Sequence, residues 1–240
     1  MTLFKALLDL ILPPRCLLCG SVMSEEKGLC DECIKKIDFI NGPICYECGQ
    51  PLTDSLSNGR KHLLCGNCLK PHKKIFKISR SACVYDEVSK KLILDFKFYD
   101  KTDLASFLAK MMYVSGKDIF AEGVDVIVPV PLHYTRLLKR KYNQSALLAK
   151  QLGKLTQTEV DCATLVKKYR TKPQVECSGE ERLKNVRGAF QLKDLEKFRN
   201  KRILLIDDVL TTGSTLKECA LVLKKAHPKS ICSLTVARAL

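Results

Sequence analysis

The stretch from Arg202 to Leu216 limits most what this chain can become. Its apolar run from Ile203 to Ile206 has no polar alternation, so it needs cover on both faces, as a parallel strand between helical layers does. The run stops at two adjacent acids, Asp207 and Asp208, followed by Thr211, Thr212, Gly213, Ser214 and Thr215. A helix-like segment with Leu216, Cys219, Ala220, Leu221 and Leu223 comes next. A turn of small hydroxyl residues at a helix head can aim backbone N–H groups and hydroxyls at one anion, with the helix dipole behind them. Carboxylates accept hydrogen bonds from vicinal hydroxyls, so a ribose 5-phosphate would span both halves of the stretch. The plainer alternative is a strand-turn-helix whose Thr and Ser only cap the helix. A Walker B reading would need a G-x-x-x-x-G-K-[ST] loop as partner, and the sequence has none.

At 240 residues and 46% hydrophobic content, the chain can bury one ordinary core and carry a smaller module. A net charge of +15 attracts phosphates, nucleic acid or an anionic membrane face without choosing among them. The apolar Leu3 to Leu12 is interrupted by Lys5 and Asp9 and ends at Pro13-Pro14. It is too short to span a bilayer and lacks the marks of a cleaved leader, so a short helix packed on its own domain is expected, with a surface membrane anchor as the alternative.

Eight of the 13 cysteines form four C-x-x-C pairs: Cys16/Cys19, Cys30/Cys33, Cys45/Cys48 and Cys65/Cys68. Two such pairs close one tetrahedral zinc site, and a fully thiolate shell leaves no position for water, so two structural Zn2+ ions are expected. Short spacers favour pairing in sequence order, while a cross-braced arrangement stays open. Thioredoxin-like dithiols would need a βαβ context that is missing here. Metal-bound thiolates point to a reducing, cytosolic setting. His62 and His72 are reserve ligands; Cys83, Cys162, Cys177, Cys219 and Cys232 read as small core or surface residues. Leu52 to His62 reads as a polar insertion in the second ribbon, and Pro71 to Lys74 as a linker. The expected division is a zinc-ribbon module over 1–72 and an α/β domain over 73–240.

In the larger part, Ile78, Cys83 and Tyr85 alternate as in a strand, Val88 to Phe98 and Asp103 to Tyr113 are helical in period, and Val124 to Val130 is a buried strand. Tyr134 to Gln144 then gathers Arg136, Lys139, Arg140 and Lys141 ahead of a helix through Ala146, Leu147, Ala149 and Leu152. A solvated basic face is the plain reading; beside a phosphate site, Arg136 and Arg140 are the candidates for pyrophosphate contacts. Leu165 begins a strand that turns basic by Gln174, and Ser178 with Glu181 marks a helix start. A polar segment between two core strands would serve as a closing lid or as an ordinary surface loop.

The Ile203 to Thr215 stretch resembles the phosphoribosyl-pyrophosphate (PRPP) motif of type I phosphoribosyltransferases. That resemblance implies that Asp207 and Asp208 hold the ribose hydroxyls and that Thr211, Thr212, Gly213, Ser214 and Thr215 hold the 5′-phosphate. With Val128-Pro-Val-Pro131, Lys139 to Gln144, Gln174, Glu181 to Val186 and Gly188-Ala-Phe190 behind a double zinc ribbon, the whole chain resembles the ComF family of late-competence proteins. Lys141-Tyr142 departs from the Arg-Gly usual in that family. The resemblance implies a mostly parallel α/β fold of the type I phosphoribosyltransferase class behind a double zinc ribbon, with PRPP and Mg2+ as ligands. It also implies a cytoplasmic protein acting on incoming single-stranded DNA beside a competence helicase and other uptake proteins at the inner face of the membrane. In an enzyme, Asp207 and Asp208 would be catalytic and the acceptor is not named by the sequence. The alternative is a non-catalytic PRPP-sensing or DNA-binding adaptor.

Overall fold

The computed structural model describes residues 13–24, 28–53, 62–71, 74–98, 103–169 and 188–240, with backbone alone at Phe98, Arg136, Lys139 and Arg140. The expected helix at Leu3 to Leu12, the centre of the Leu52 to His62 insertion, and His72, Gln174, Cys177, Ser178, Glu181, Arg182 and Asn185 lie outside the described residues.

A five-stranded sheet is built from Ser79–Val84 (β1), Val126–Pro129 (β2), Glu159–Val160 (β3), Arg202–Leu210 (β6) and Ser230–Arg238 (β7), in the order β1-β7-β6-β2-β3. Every pairing in it is parallel. The reason is legible along β6. Leu204 and Ile206 enter one core cluster, while Ile203 and Leu205 enter the other. Both faces are therefore buried, which is what an unalternating apolar run requires. Glu87–Phe98 (α3), Leu104–Ser115 (α4), Lys117–Ala121 (α5) and Gln144–Thr156 (α7) supply Phe96, Leu108, Met112, Ile119 and Leu148 to the first cluster. Ser214–Leu223 (α8) supplies Leu216, Cys219, Ala220 and Leu223 to the second. Each of the Leu, Met and Phe side chains among these contributes roughly 1.5–3 kcal/mol by leaving water.

Leu165–Lys167 (β4) pairs antiparallel with Phe190–Leu192 (β5) in a separate two-stranded sheet. The segment read as lying between two core strands thus lies between the arms of a side hairpin, and its residues 170–187 are outside the described set. Leu165 and Phe190 pack on the second core cluster, which is why the arms read as core strands in sequence.

The cysteine ribbons, with short helices at Asp31–Lys35 (α1) and Gly66–Leu69 (α2), cover the free edge of β1. The Ile40 amide donates to the Ala82 carbonyl at 3.1 Å, Val84 donates to Asp38 at 2.8 Å, and Ser79 donates to Glu47 at 2.8 Å. An exposed parallel edge would invite pairing with another chain, and this contact occupies it. Gly49, at φ +68, sits so close that a Cβ there would fall 2.5 Å from the Ser79 carbonyl oxygen. Cys16, Leu29, Cys33 and Ile37 belong to the same core cluster as Phe96 and Leu108, so the first ribbon and the sheet share one core.

Candidate functional site

Each ribbon gathers four thiols. Cys16, Cys19, Cys30 and Cys33 form one group and Cys45, Cys48, Cys65 and Cys68 the other, with the sulfurs of each group within 4.8 Å of one another. The pairing is therefore in sequence order. The Cys19 and Cys30 sulfurs are 3.7 Å apart and those of Cys48 and Cys65 are 3.6 Å apart. Four Zn–S bonds of ~2.3 Å in a tetrahedron set sulfurs roughly 3.8 Å apart, so both groups fit structural zinc. Hydrogen bonds from Ser21 bring the Cys19 thiol down to about 6, while burial pushes Cys33 up to about 12. A dication removes that conflict by binding all four as thiolates. His62 lies outside both groups and packs edge-on against Tyr46, ring centroids 4.3 Å apart.

The second site lies at the carboxyl edge of the sheet. The register β2–β6 ends at Pro129↔Ile206, whereas β6 runs on beside β7 to Leu210↔Arg238. Asp207 and Asp208 therefore sit inside a strand, not after it, on the length of β6 that has outrun β2. The chain after β2 turns through His133, which caps Tyr134–Arg140 (α6), and Asn143, which caps α7 by accepting from the Ser145 amide at 3.1 Å. The Asn143 amide also donates to the Val130 carbonyl at 3.0 Å, fixing the head of α7 to the end of β2.

That head reaches the acids. Ser145 Oγ donates to Asp207 Oδ1 at 3.0 Å, and the Asp208 amide donates to the same oxygen at 3.0 Å. Lys97 Nζ, from the last turn of α3, lies 2.8 Å from Asp208 Oδ2. Tyr142 and Gln144 hold that turn in place, donating to the carbonyls of Phe96 at 2.7 Å and Lys97 at 3.4 Å. Among the described residues these partners fall on Oδ1 of Asp207 and Oδ2 of Asp208. Asp207 keeps some exposure as a residue while its carboxyl is enclosed; burial pushes that carboxyl up to about 7, with the Asp208 charge adding and Lys97 opposing.

Beyond Leu210, Gly213 adopts φ +72 at the cap of α8. A side chain there would be strained and would press a Cβ to 3.3 Å from Leu210 Cδ1. Thr212 Oγ1 and Ser214 Oγ share a hydrogen bond of 2.7 Å. Thr211 and Thr212 are exposed, Gly213 and Thr215 half-buried, and Ser214 buried. The first-turn amides of any helix lack intrahelical acceptors, so this turn offers donors to an anion. The acids and the turn are thus brought to one edge. Arg136 and Arg140 lie on α6 near that edge in sequence, and their side chains are outside the described set. Lys97 and Ser145 were missed by sequence reasoning. Ser145 had a signal, an Asn cap two residues earlier; Lys97 sits on a helix distant in sequence and had none.

The model described as "Phosphoribosyl transferase domain" matches residues 132–240, and the one described as "Double zinc ribbon domain" matches 7–69. Competence protein F of Haemophilus influenzae is 33% identical over 232 residues, 94% of this chain and 97% of that protein. This chain belongs to the ComF family of competence proteins. Two more relatives span most of it. DNA utilization protein YhgH of Escherichia coli is 28% identical over 89% of this chain and 92% of its own. Competence protein ComFC of Bacillus subtilis is 26% identical over 93% and 94%. Among solved structures, an allosteric regulatory enzyme of purine biosynthesis overlaps 66% of this chain and 31% of its own, at 18% identity and a TM-score of 0.41. An overlap that loose decides nothing about this chain. Among the described residues no helix is long and apolar enough to cross a membrane.

Proposed function

We propose that this ComF-family chain binds PRPP with Mg2+ at the Asp207–Thr215 edge and acts, as a phosphoribosyltransferase-like protein, in the handling of incoming single-stranded DNA during competence, together with a helicase or other uptake proteins. One observation carries the reading: two acids on a protruding strand end are followed at once by a positive-φ glycine and a hydroxyl-lined helix head. Asp207 and Asp208 would take the ribose diol, and Thr211, Thr212, Gly213, Ser214 and Thr215 the 5′-phosphate. Arg136 and Arg140, on the helix after β2, would meet the pyrophosphate.

The acids are already engaged by Ser145 and Lys97, so they form no all-protein cage for a hard cation. That fits Mg2+, which keeps waters and substrate phosphates in its shell and takes only one or two carboxylates. When bound it neutralises pyrophosphate charge. Lys97, 2.8 Å from Asp208 Oδ2, would hold that carboxylate in orientation until the diol replaces part of its contact. Two zinc ribbons remain structural. The protein works in the cytoplasm and reaches the inner membrane face through partners.

The test is calorimetric titration of PRPP with Mg2+, alongside a pyrophosphate-release assay with single-stranded DNA, nucleobases and amines as acceptors. Binding with release establishes a transferase. Binding without release under any acceptor favours a PRPP-sensing adaptor, and absence of binding refutes the site.

A further inference from the structure

At the other end of the sheet from the acids, a groove of about 670 Å³ opens between the second ribbon and the amino end of β7. Asp207 pairs with Thr235, and β7 begins at Ser230, so the groove lies roughly 17 Å down the strand from the candidate PRPP site. Tyr46 and Phe76 bring aromatic rings to it, and Lys74, Lys77, Lys224 and Lys229 bring cations. Its lining holds one carboxylate, Glu47, which meets Lys74 at 2.5 Å. Lys77 pairs with Glu122 at 2.7 Å. Lys224 donates to the Lys74 carbonyl at 2.7 Å, and the ammonium groups of Lys224 and Lys229 meet no carboxylate among the described residues.

The walls are firm. The Tyr46 carbonyl accepts from buried Arg80 at 3.0 Å, and the Tyr46 amide donates to Leu63 at 2.8 Å. His62 sets the plane of the Tyr46 ring at 89° to its own. Asn200 donates to the His227 carbonyl at 3.1 Å, which ties down the turn carrying Lys224 and Lys229. A cation-lined groove with aromatic rings tracks a phosphodiester backbone while bases stack, and stacking is open to a single strand, not to a duplex. The volume is that of a nucleotide-sized site.

We propose that single-stranded DNA lies in this groove, phosphates against Lys74, Lys77, Lys224 and Lys229 and a base against Tyr46. This rests on the DNA-handling half of the reading above and is independent of PRPP. It places polynucleotide and sugar phosphate at opposite ends of the same strands.

Fluorescence anisotropy with a labelled oligodeoxynucleotide and the zinc-loaded full chain tests it. Lys224→Ala with Lys229→Ala is expected to weaken binding about tenfold and to flatten the plot of log affinity against log salt by about 1.4, for two phosphates lost. Lys150→Ala with Lys154→Ala, an equal charge change on exposed positions of α7, is expected to leave both within twofold. Tyr46→Ala should weaken binding and Tyr46→Phe should restore it, with zinc content and melting temperature reporting on the fold. Duplex DNA should compete poorly. If groove and control variants bind alike, or duplex competes equally, the groove is wrong while DNA handling stands; if the wild-type chain binds no single strand, both fall.

Discussion

Lys97 Nζ lies 2.8 Å from Asp208 Oδ2, joining the last turn of one helix to a strand far away in sequence. Its charge opposes the burial and the Asp208 repulsion that raise Asp207, so it keeps the Asp207 carboxyl closer to ionised at neutral pH. Lys97→Met is therefore expected to weaken PRPP binding at pH 7, by about fivefold for the first unit of upward shift and roughly tenfold for each further unit. The loss should shrink at pH 9, where the Asp207 carboxyl ionises without help. Calorimetric titration across pH 6–9 checks this, and a pH-independent loss would mean that Lys97 serves only to anchor α3.

Stability should respond to the same carboxyl with a definite sign. Asp207 titrates at about 7 in the folded chain against an ordinary 3.8, so its ionised form is less favoured when folded. That penalty is absent below the ordinary value, grows as pH rises between the two, and is fully present above the folded value. Asp207→Asn is thus expected to gain stability over the ligand-free wild type at pH 8 and to keep only a minor part of that advantage at pH 5. Denaturant unfolding at the two pH values measures the difference, and an equal offset at both would contradict the assignment.

Gly213→Ala places a Cβ on a residue at φ +72. The left-handed conformation costs a residue with a side chain roughly 1–2 kcal/mol, and the turn is expected to relax away from its anion-facing form. Phosphate affinity should fall by more than the melting temperature does, because the strand and helix on either side keep their cores. Inorganic phosphate and PRPP titrations beside a thermal melt compare the two.

Zinc analysis should return two ions per chain, falling to one in Cys65→Ser. That variant is expected to loosen β1 as well, since the carbonyls of Glu47 and of the ligand Cys48 accept hydrogen bonds from Ser79 and Arg238 of the sheet. Amide exchange at Ser79 and Arg80 should rise, while Cys16, Cys19, Cys30 and Cys33 keep their ion.

The sequence was most readable where one physical demand acted alone. Ile203 to Ile206 needed cover on both faces and received it, and C-x-x-C spacing announced two metal sites whose order the sulfur distances settle. Where a demand was met across distant segments, the sequence was silent. Nothing near Lys97 marks its reach to Asp208, and nothing near Asp38 or Ile40 marks their bonds to β1. The arms Leu165–Lys167 and Phe190–Leu192 misled for the opposite reason: they bury side chains on the core without joining the main sheet. Asp207 and Asp208 were read as the carboxyl end of the strand because the apolar run stops there, and pairing with β7 carries β6 past them to Leu210.

A crystal structure of the chain with PRPP and Mg2+ tests the central claim most directly. The account expects the ribose diol within hydrogen-bond distance of Asp207 and Asp208 and the 5′-phosphate within the turn from Thr211 to Thr215. A sugar phosphate bound elsewhere, with the Ser145–Asp207 and Lys97–Asp208 contacts undisturbed and the turn empty, would contradict it.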